Sequence, residues 1–188
     1  MNKPKNVITL PTVLFLILIC GCTVYSNYTA KIEIGSDINS YILTTSVSKL
    51  KLYIPDNLMP KESQIAEGGT KNPRYFIFTD KYANLILSGW FEPNYIYPGM
   101  EKFFYEMTKK WGTDGHPPMP ENVNFVKHND WSVTSYDMTY RNCYTPNIQA
   151  HFLKDNTWIH LHISYKCGSG KKVEDLINFL DTIRIVSK

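Results

Sequence analysis

Asp155-Asn156 separates two runs of alternating residues, and no other stretch of the 188-residue chain constrains the fold as tightly. Asp and Asn both tolerate a left-handed backbone, so the pair suits a two-residue hairpin turn. Such a turn places Lys154 opposite Thr157. Phe152 then meets Ile159, Ala150 meets Leu161, and Ile148 meets Ile163. All six are apolar, so one face of the hairpin is expected in the core. A slip of one residue would exchange the faces, which makes the register specific.

The same register puts His151 opposite His160, with His162 two residues further along that face. Opposed β-carbons lie about 4.5–5.5 Å apart. Three imidazoles near one point suit zinc or copper, and three protein ligands with an open fourth position leave room for an activated water. One expectation is therefore a zinc-binding protein or metal-dependent hydrolase using His151, His160 and His162. The competing reading makes these histidines structural and the protein free of cofactors. Leu153 and Trp158 share their face, polar residues on the second face of an antiparallel sheet are ordinary, and no Asp or Glu is placed to orient an imidazole. His116 sits in a Gly/Pro loop and His128 in a turn, both expected at the surface. The chain has no Walker loop, dinucleotide glycine motif, HExxH or GxSxG, and Ser132, Ser135 and Ser164 lie in strand-like stretches.

The remaining elements follow from period and punctuation. Parts of 31–50 alternate loosely. Lys49 to Ile54 alternates cleanly and meets a turn signal at Pro55-Asp56. Residues 60–72 are polar and read as loop. Arg74–Thr79 and Ala83–Phe91 read as a hairpin around Asp80-Lys81-Tyr82. Pro98-Gly99 opens a helix with the stripe Met100, Phe103, Phe104, Met107 and Trp111, for which Gly112 is the expected C-terminal cap. Asn122–Lys127 and Trp131–Asn142 read as strands, and the hairpin spans Asn147–Lys166. Ser169 is expected to cap a last helix whose stripe is Val173, Leu176, Ile177, Leu180 and Ile183. Short turns between strands, with two separated helices, predict an α+β domain on a mostly antiparallel sheet.

That order, with Lys49-Leu-Lys-Leu-Tyr-Ile-Pro55 early and Trp158-Ile-His-Leu-His-Ile-Ser164 before the last helix, resembles the PsbP-like fold over residues 45–186. The family includes a photosystem oxygen-evolving subunit and several bacterial lipoproteins. The resemblance implies a noncatalytic binding or assembly module with its helices against the sheet.

The amino terminus carries Lys3 and Lys5 and then an apolar run from Val7 to Ile19, broken by Pro11. Spanning a bilayer takes about 20 apolar residues and an export signal roughly 7–15, so the signal reading fits. Ile19-Cys20-Gly21-Cys22 resembles the lipobox of bacterial lipoproteins. The resemblance implies cleavage after residue 21, acylation of the Cys22 thiol (palmitate among the chains) and firm membrane anchoring, since stable attachment takes two or more chains. Thr23 stands where an Asp would retain such a protein at the inner membrane in enteric-type bacteria. The outer membrane, facing the periplasm, is thus the expected site. The organisation reads as signal peptide 1–21, tether 22–30 and a single globular domain 31–188.

Two cysteines remain in the mature chain. In an oxidising compartment Cys143 and Cys167 are expected to form a disulfide, worth on the order of 3–4 kcal/mol by chain entropy. No CxxC motif suggests redox catalysis. The whole chain is formally +3, and loss of Lys3 and Lys5 leaves +1, which argues against nucleic acid as a partner. Trp90, Phe91, Tyr95 and Tyr97 follow one another at a strand end and loop. They suit contact with a protein partner, or alternatively fold back onto the core. The leading expectation is a membrane-anchored, noncatalytic protein-binding lipoprotein, in envelope assembly or maintenance or in immunity to a competitor's toxin. The alternative is the metal protein above. A small-ligand carrier would need an apolar cavity.

Overall fold

The computed structural model describes residues 31–34, 40–44, 48–61, 75–114 and 116–187. The expected signal peptide, Cys22 and the tether lie outside these residues, as does most of the expected loop at 60–72. Eleven strands and two α-helices are described: β1 (Lys31–Ile34), β2 (Ser40–Thr44), β3 (Leu50–Pro55), β4 (Leu58–Lys61), β5 (Tyr75–Asp80), β6 (Leu85–Pro93), α1 (Met100–Thr108), β7 (Glu121–His128), β8 (Trp131–Tyr140), β9 (Cys143–Lys154), β10 (Thr157–Tyr165), α2 (Val173–Leu180) and β11 (Arg184–Ser187). They form an antiparallel seven-stranded sheet ordered β4-β5-β6-β10-β9-β8-β7 and an antiparallel four-stranded sheet ordered β1-β2-β3-β11. The expected α+β architecture on mostly antiparallel sheet is what the chain adopts.

The β9–β10 hairpin has the register read from its turn. Lys154 pairs with Thr157, Phe152 with Ile159, Ala150 with Leu161 and Ile148 with Ile163. Asp155 and Asn156 both hold positive φ, 50° and 61°, as a two-residue turn matched to strand twist requires. Arg141 and Asn142 repeat the device between β8 and β9, with φ of 49° and 63°.

The inner face of the large sheet meets the small sheet and α2 in one core. Phe76, Leu87, Phe91, Ile148, Leu161 and Ile163 pack there with Leu43, Leu52 and Ile54 of the small sheet and Leu176 and Leu180 of α2. The expected stripe of α2 is therefore the buried one, with Val173 and Ile177 partly buried beside it. Its cap differs from the expectation. Lys172, not Ser169, is the N-cap residue, and the Asp175 carboxylate accepts its backbone N–H at 3.0 Å. An acid at this position stabilises the first turn and supplies the partner that a lysine cap cannot.

Two short strands depart from the sequence reading. β4 takes in Pro60 and Lys61, the first two residues of the expected loop, but it lies at the sheet edge, where a missing donor is tolerated. β11 follows α2 and pairs with β3. Its four residues are too few to show a period.

Gly89 sits mid-strand in β6, opposite both Leu161 and Phe76. A β-carbon there would overlap the His160 carbonyl oxygen and lie 2.8 Å from Phe76 Cζ. Gly89→Ala is expected to lower unfolding free energy by about 1–3 kcal/mol through overpacking, seen as a lower urea midpoint at unchanged slope. An unaltered midpoint would contradict the packing of β6 against β10.

Candidate functional site

The outer face of the large sheet carries the polar residues of the hairpin, and α1 lies across it. Gly99, at φ 93°, turns the chain into α1 and its carbonyl accepts the Phe103 N–H at 2.9 Å. The apolar stripe of α1 then divides. Phe104 is buried against Tyr136 with ring centroids 5.1 Å apart, while Phe103 packs over the histidines. The helix ends at Thr108, four residues short of Gly112, whose φ of 78° instead serves a turn closed by its N–H to the Pro117 carbonyl.

His151 and His160 face each other, as the hairpin register requires. Both are buried, and His151 Nε2 lies 2.6 Å from His160 Nδ1. Tyr97 Oη lies 3.2 Å from His151 Nδ1. Neutral groups complete this chain in either direction, with Tyr97 donating inward or His160 donating outward. Trp90 stacks on His160 at 3.8 Å between centroids and 24° between planes. Phe103 lies 4.8 Å from the His151 ring and 5.0 Å from the His160 ring, and Trp158 lies 5.1 Å from His151. Burial pushes the His151 pKa down to about 3, and burial, then the neighbouring imidazoles, hold His160 well below the usual histidine value. Desolvation raises the Tyr97 hydroxyl to about 12. The cluster is uncharged at neutral pH.

His162 departs from its expected place as the third member. It pairs across the strand with Gln149, and its Nε2 donates to Asn147 Oδ1 at 3.2 Å, with Tyr136 Oη 3.5 Å away. Burial lowers its pKa to about 4. The three-imidazole zinc site is thus not assembled: two rings bond each other and the third bonds elsewhere. Among the described residues no group of three His, Cys, Asp or Glu is placed to hold a metal ion. Asp137, a buried acid, lies on the inner face, where its carboxylate accepts from Tyr144 Oη at 2.7 Å and Asn122 Nδ2 at 2.9 Å. It is not within reach of the histidines as orienter or base.

The four aromatics expected to present themselves to a partner also separate. Phe91 is fully buried in the core, Trp90 stacks on His160, and Tyr97 bonds His151. Only Tyr95 of the four is exposed, at 71%. The reason is strand alternation, which turns Phe91 inward and Trp90 onto the outer face, while the chain after β6 folds Tyr97 back over it.

Beside the cluster a cleft of about 650 Å³ opens between α1 and the sheet. Trp90, Phe103, Met107, Trp111, Tyr136 and Met138 supply most of its wall, and Ser88, Glu106, Gln149, His160 and His162 add polar side chains. Gln149 is 2% exposed. Its amide nitrogen is directed to Met107 Sδ at 3.0 Å and Tyr136 Oη at 3.4 Å, and its Oε1 has no partner. Sequence reasoning placed Phe103 and Met107 on a helix stripe and missed Gln149, Tyr136 and Met138 as site residues. The alternation of β8 and β9 puts Tyr136 and Gln149 on the histidine face, so the signal was present once the pairing of these strands is known.

Fold and cleft define an α+β domain with an apolar cavity on the outer face of a mostly antiparallel sheet. No protein-family model matches the chain, and no curated protein matches it. Among solved structures it is similar to a crystal structure from Bacteroides thetaiotaomicron VPI-5482, at 10% identity and a TM-score of 0.45, over 74% of this chain and 46% of that one. The chain spans less than half the length of that protein.

Proposed function

We propose that this chain is a lipid-anchored protein of the bacterial cell envelope whose folded domain is a noncatalytic binding module acting through the cleft under α1. The cleft carries the reading. Its volume of about 650 Å³ falls within the roughly 300–1,000 Å³ typical of ligand sites, and its lining is mainly apolar with a few convergent polar groups. Its histidines are neutral and bonded within the protein, which suits holding an occupant better than moving protons.

Anchoring rests on Ile19-Cys20-Gly21-Cys22, and the Cys143–Cys167 disulfide fits an oxidising compartment such as the periplasm. The likeness to the PsbP-like fold belongs to the same reading. It is supported by the order of strands, α1, four strands and α2, to which β11 is an addition. A second reading, contact with a protein partner in envelope maintenance or toxin immunity, is favoured by Tyr95, which stands exposed two residues before Tyr97.

Labelling with a palmitate analogue tests the anchor. The wild-type protein is expected to take up label and to appear at its processed size in the membrane fraction. Cys22→Ser is expected to take up none and to keep residues 1–21, giving a larger product. A variant of wild-type size that still travels with membranes would overturn the assignment. Native mass spectrometry of protein released gently from membranes tests binding, with a noncovalent small-molecule occupant expected. A crosslinked protein at Tyr95 with an empty cleft would favour the second reading instead.

A further inference from the structure

We infer that the cleft between α1 and the seven-stranded sheet binds a planar, uncharged aromatic molecule that donates a hydrogen bond to Gln149 Oε1. The inference rests on the cleft reading above and adds the class of occupant.

Shape and surface come first. The walls are rings: Trp90, Phe103, Trp111 and Tyr136 all line the cavity. Trp90 is held in place by stacking on His160, and Trp111 by Tyr136, 5.9 Å between centroids. Fixed ring faces and edges favour a flat aromatic guest, which gains offset or edge-to-face contacts that an alkyl chain does not make.

Charge narrows the class. Among the described residues no Lys or Arg lines the cleft, so none of them gives an anion a counter-charge there. The one carboxylate in the lining, Glu106, already pairs with Lys109 at 2.6 Å. The three histidines of this face are neutral, and His151 through both ring nitrogens and His162 through Nε2 are hydrogen-bonded within the protein. A neutral guest is the one that this lining solvates.

Gln149 supplies the direction. Its amide N–H groups are turned to Tyr136 and Met107, which leaves the carbonyl oxygen buried with no donor among the described residues. An unsatisfied buried acceptor is costly, and a guest carrying an N–H or O–H removes that cost on binding. The same carbonyl gives nothing to a guest whose donor is blocked.

The test uses the full lipidated protein in lipid nanodiscs and follows 5-fluoroindole by fluorine NMR. 5-Fluoroindole is expected to bind, 1-methyl-5-fluoroindole to bind about tenfold more weakly, and 5-fluoroindole-3-acetate more weakly still. Gln149→Leu is expected to abolish the preference for the free N–H while circular dichroism stays that of the wild type. Should Gln149→Leu fail to fold, the methylated probe on the wild-type protein decides alone. Equal binding of the free and methylated probes, lost in Trp111→Ala, overturns the donor assignment and leaves the cleft as a binding site. Displacement of the probe by a fatty acid, independent of Gln149, makes the occupant an acyl chain and overturns the proposal. Failure of every aromatic probe to bind at millimolar concentration overturns both the proposal and the cleft reading.

Discussion

Acidification from pH 7.5 to pH 5 is expected to remove about 2 kcal/mol of the domain's stability through His151 alone, with His160 acting in the same direction. Both are buried, and both have folded pKa values depressed below the ordinary 6.5, that of His151 to about 3. The folded state therefore binds fewer protons than the unfolded chain once the pH falls below 6.5. Stability is complete above that value and declines steadily as pH falls toward the folded values. His162, lowered to about 4, acts in the same direction. Domains of this size are stable by only about 5–15 kcal/mol, so the loss is a large share of the total. Urea titrations across this pH range measure it directly. The double variant His151→Gln/His160→Gln is expected to be less stable at pH 7.5, because the 2.6 Å imidazole bond is lost, yet to show a much flatter acid limb. A wild-type protein equally stable at pH 5 and pH 7.5 would mean that these rings are not buried neutral.

Removing the cystine is expected to have a comparable effect. Cys143 and Cys167 form a disulfide with Cα atoms 5.5 Å apart and a sequence separation of 24. Cys143 begins β9, and Cys167 lies two residues beyond the end of β10. The bond therefore closes the open end of the hairpin whose other end is closed by Asp155-Asn156. Restricting a loop of that length in the unfolded chain is worth about 3–4 kcal/mol. The Cys143→Ala/Cys167→Ala protein is expected to melt about 6–16 °C lower, given roughly 2–4 °C per kcal/mol in a domain of this size. Treatment of the wild-type protein with dithiothreitol should reproduce the shift. An unchanged melting temperature under both treatments would show that the two sulfurs are not joined.

Much of the site was legible before the strands were assembled. A two-residue turn fixes which residues face each other across a hairpin, and the strand period fixes which face each occupies. Hence Asp155-Asn156 sufficed to bring His151 and His160 together and to send Ile148, Ala150, Phe152, Ile159, Leu161 and Ile163 inward. The stripe of α2 was legible for the same reason, since a helical period is local. His162 shows the limit of such reasoning. It shares a face with the other two, but a neighbouring Asn147 and Tyr136 offered hydrogen bonds that the register alone does not reveal.

The amino-acid order by itself determined the local geometry: turn types, faces and helix stripes. Those features depend on backbone chirality and on periods of two or 3.6 residues, which act over a few neighbours. Only the tertiary structure decided that β6, not another strand, lies beside β10 and stacks Trp90 on His160, that α1 crosses the outer face, and that a cleft lined in part by Gln149 remains between them. Pairing between distant strands is set by the sum of many weak contacts over the whole core, and no single short stretch of the chain carries that sum.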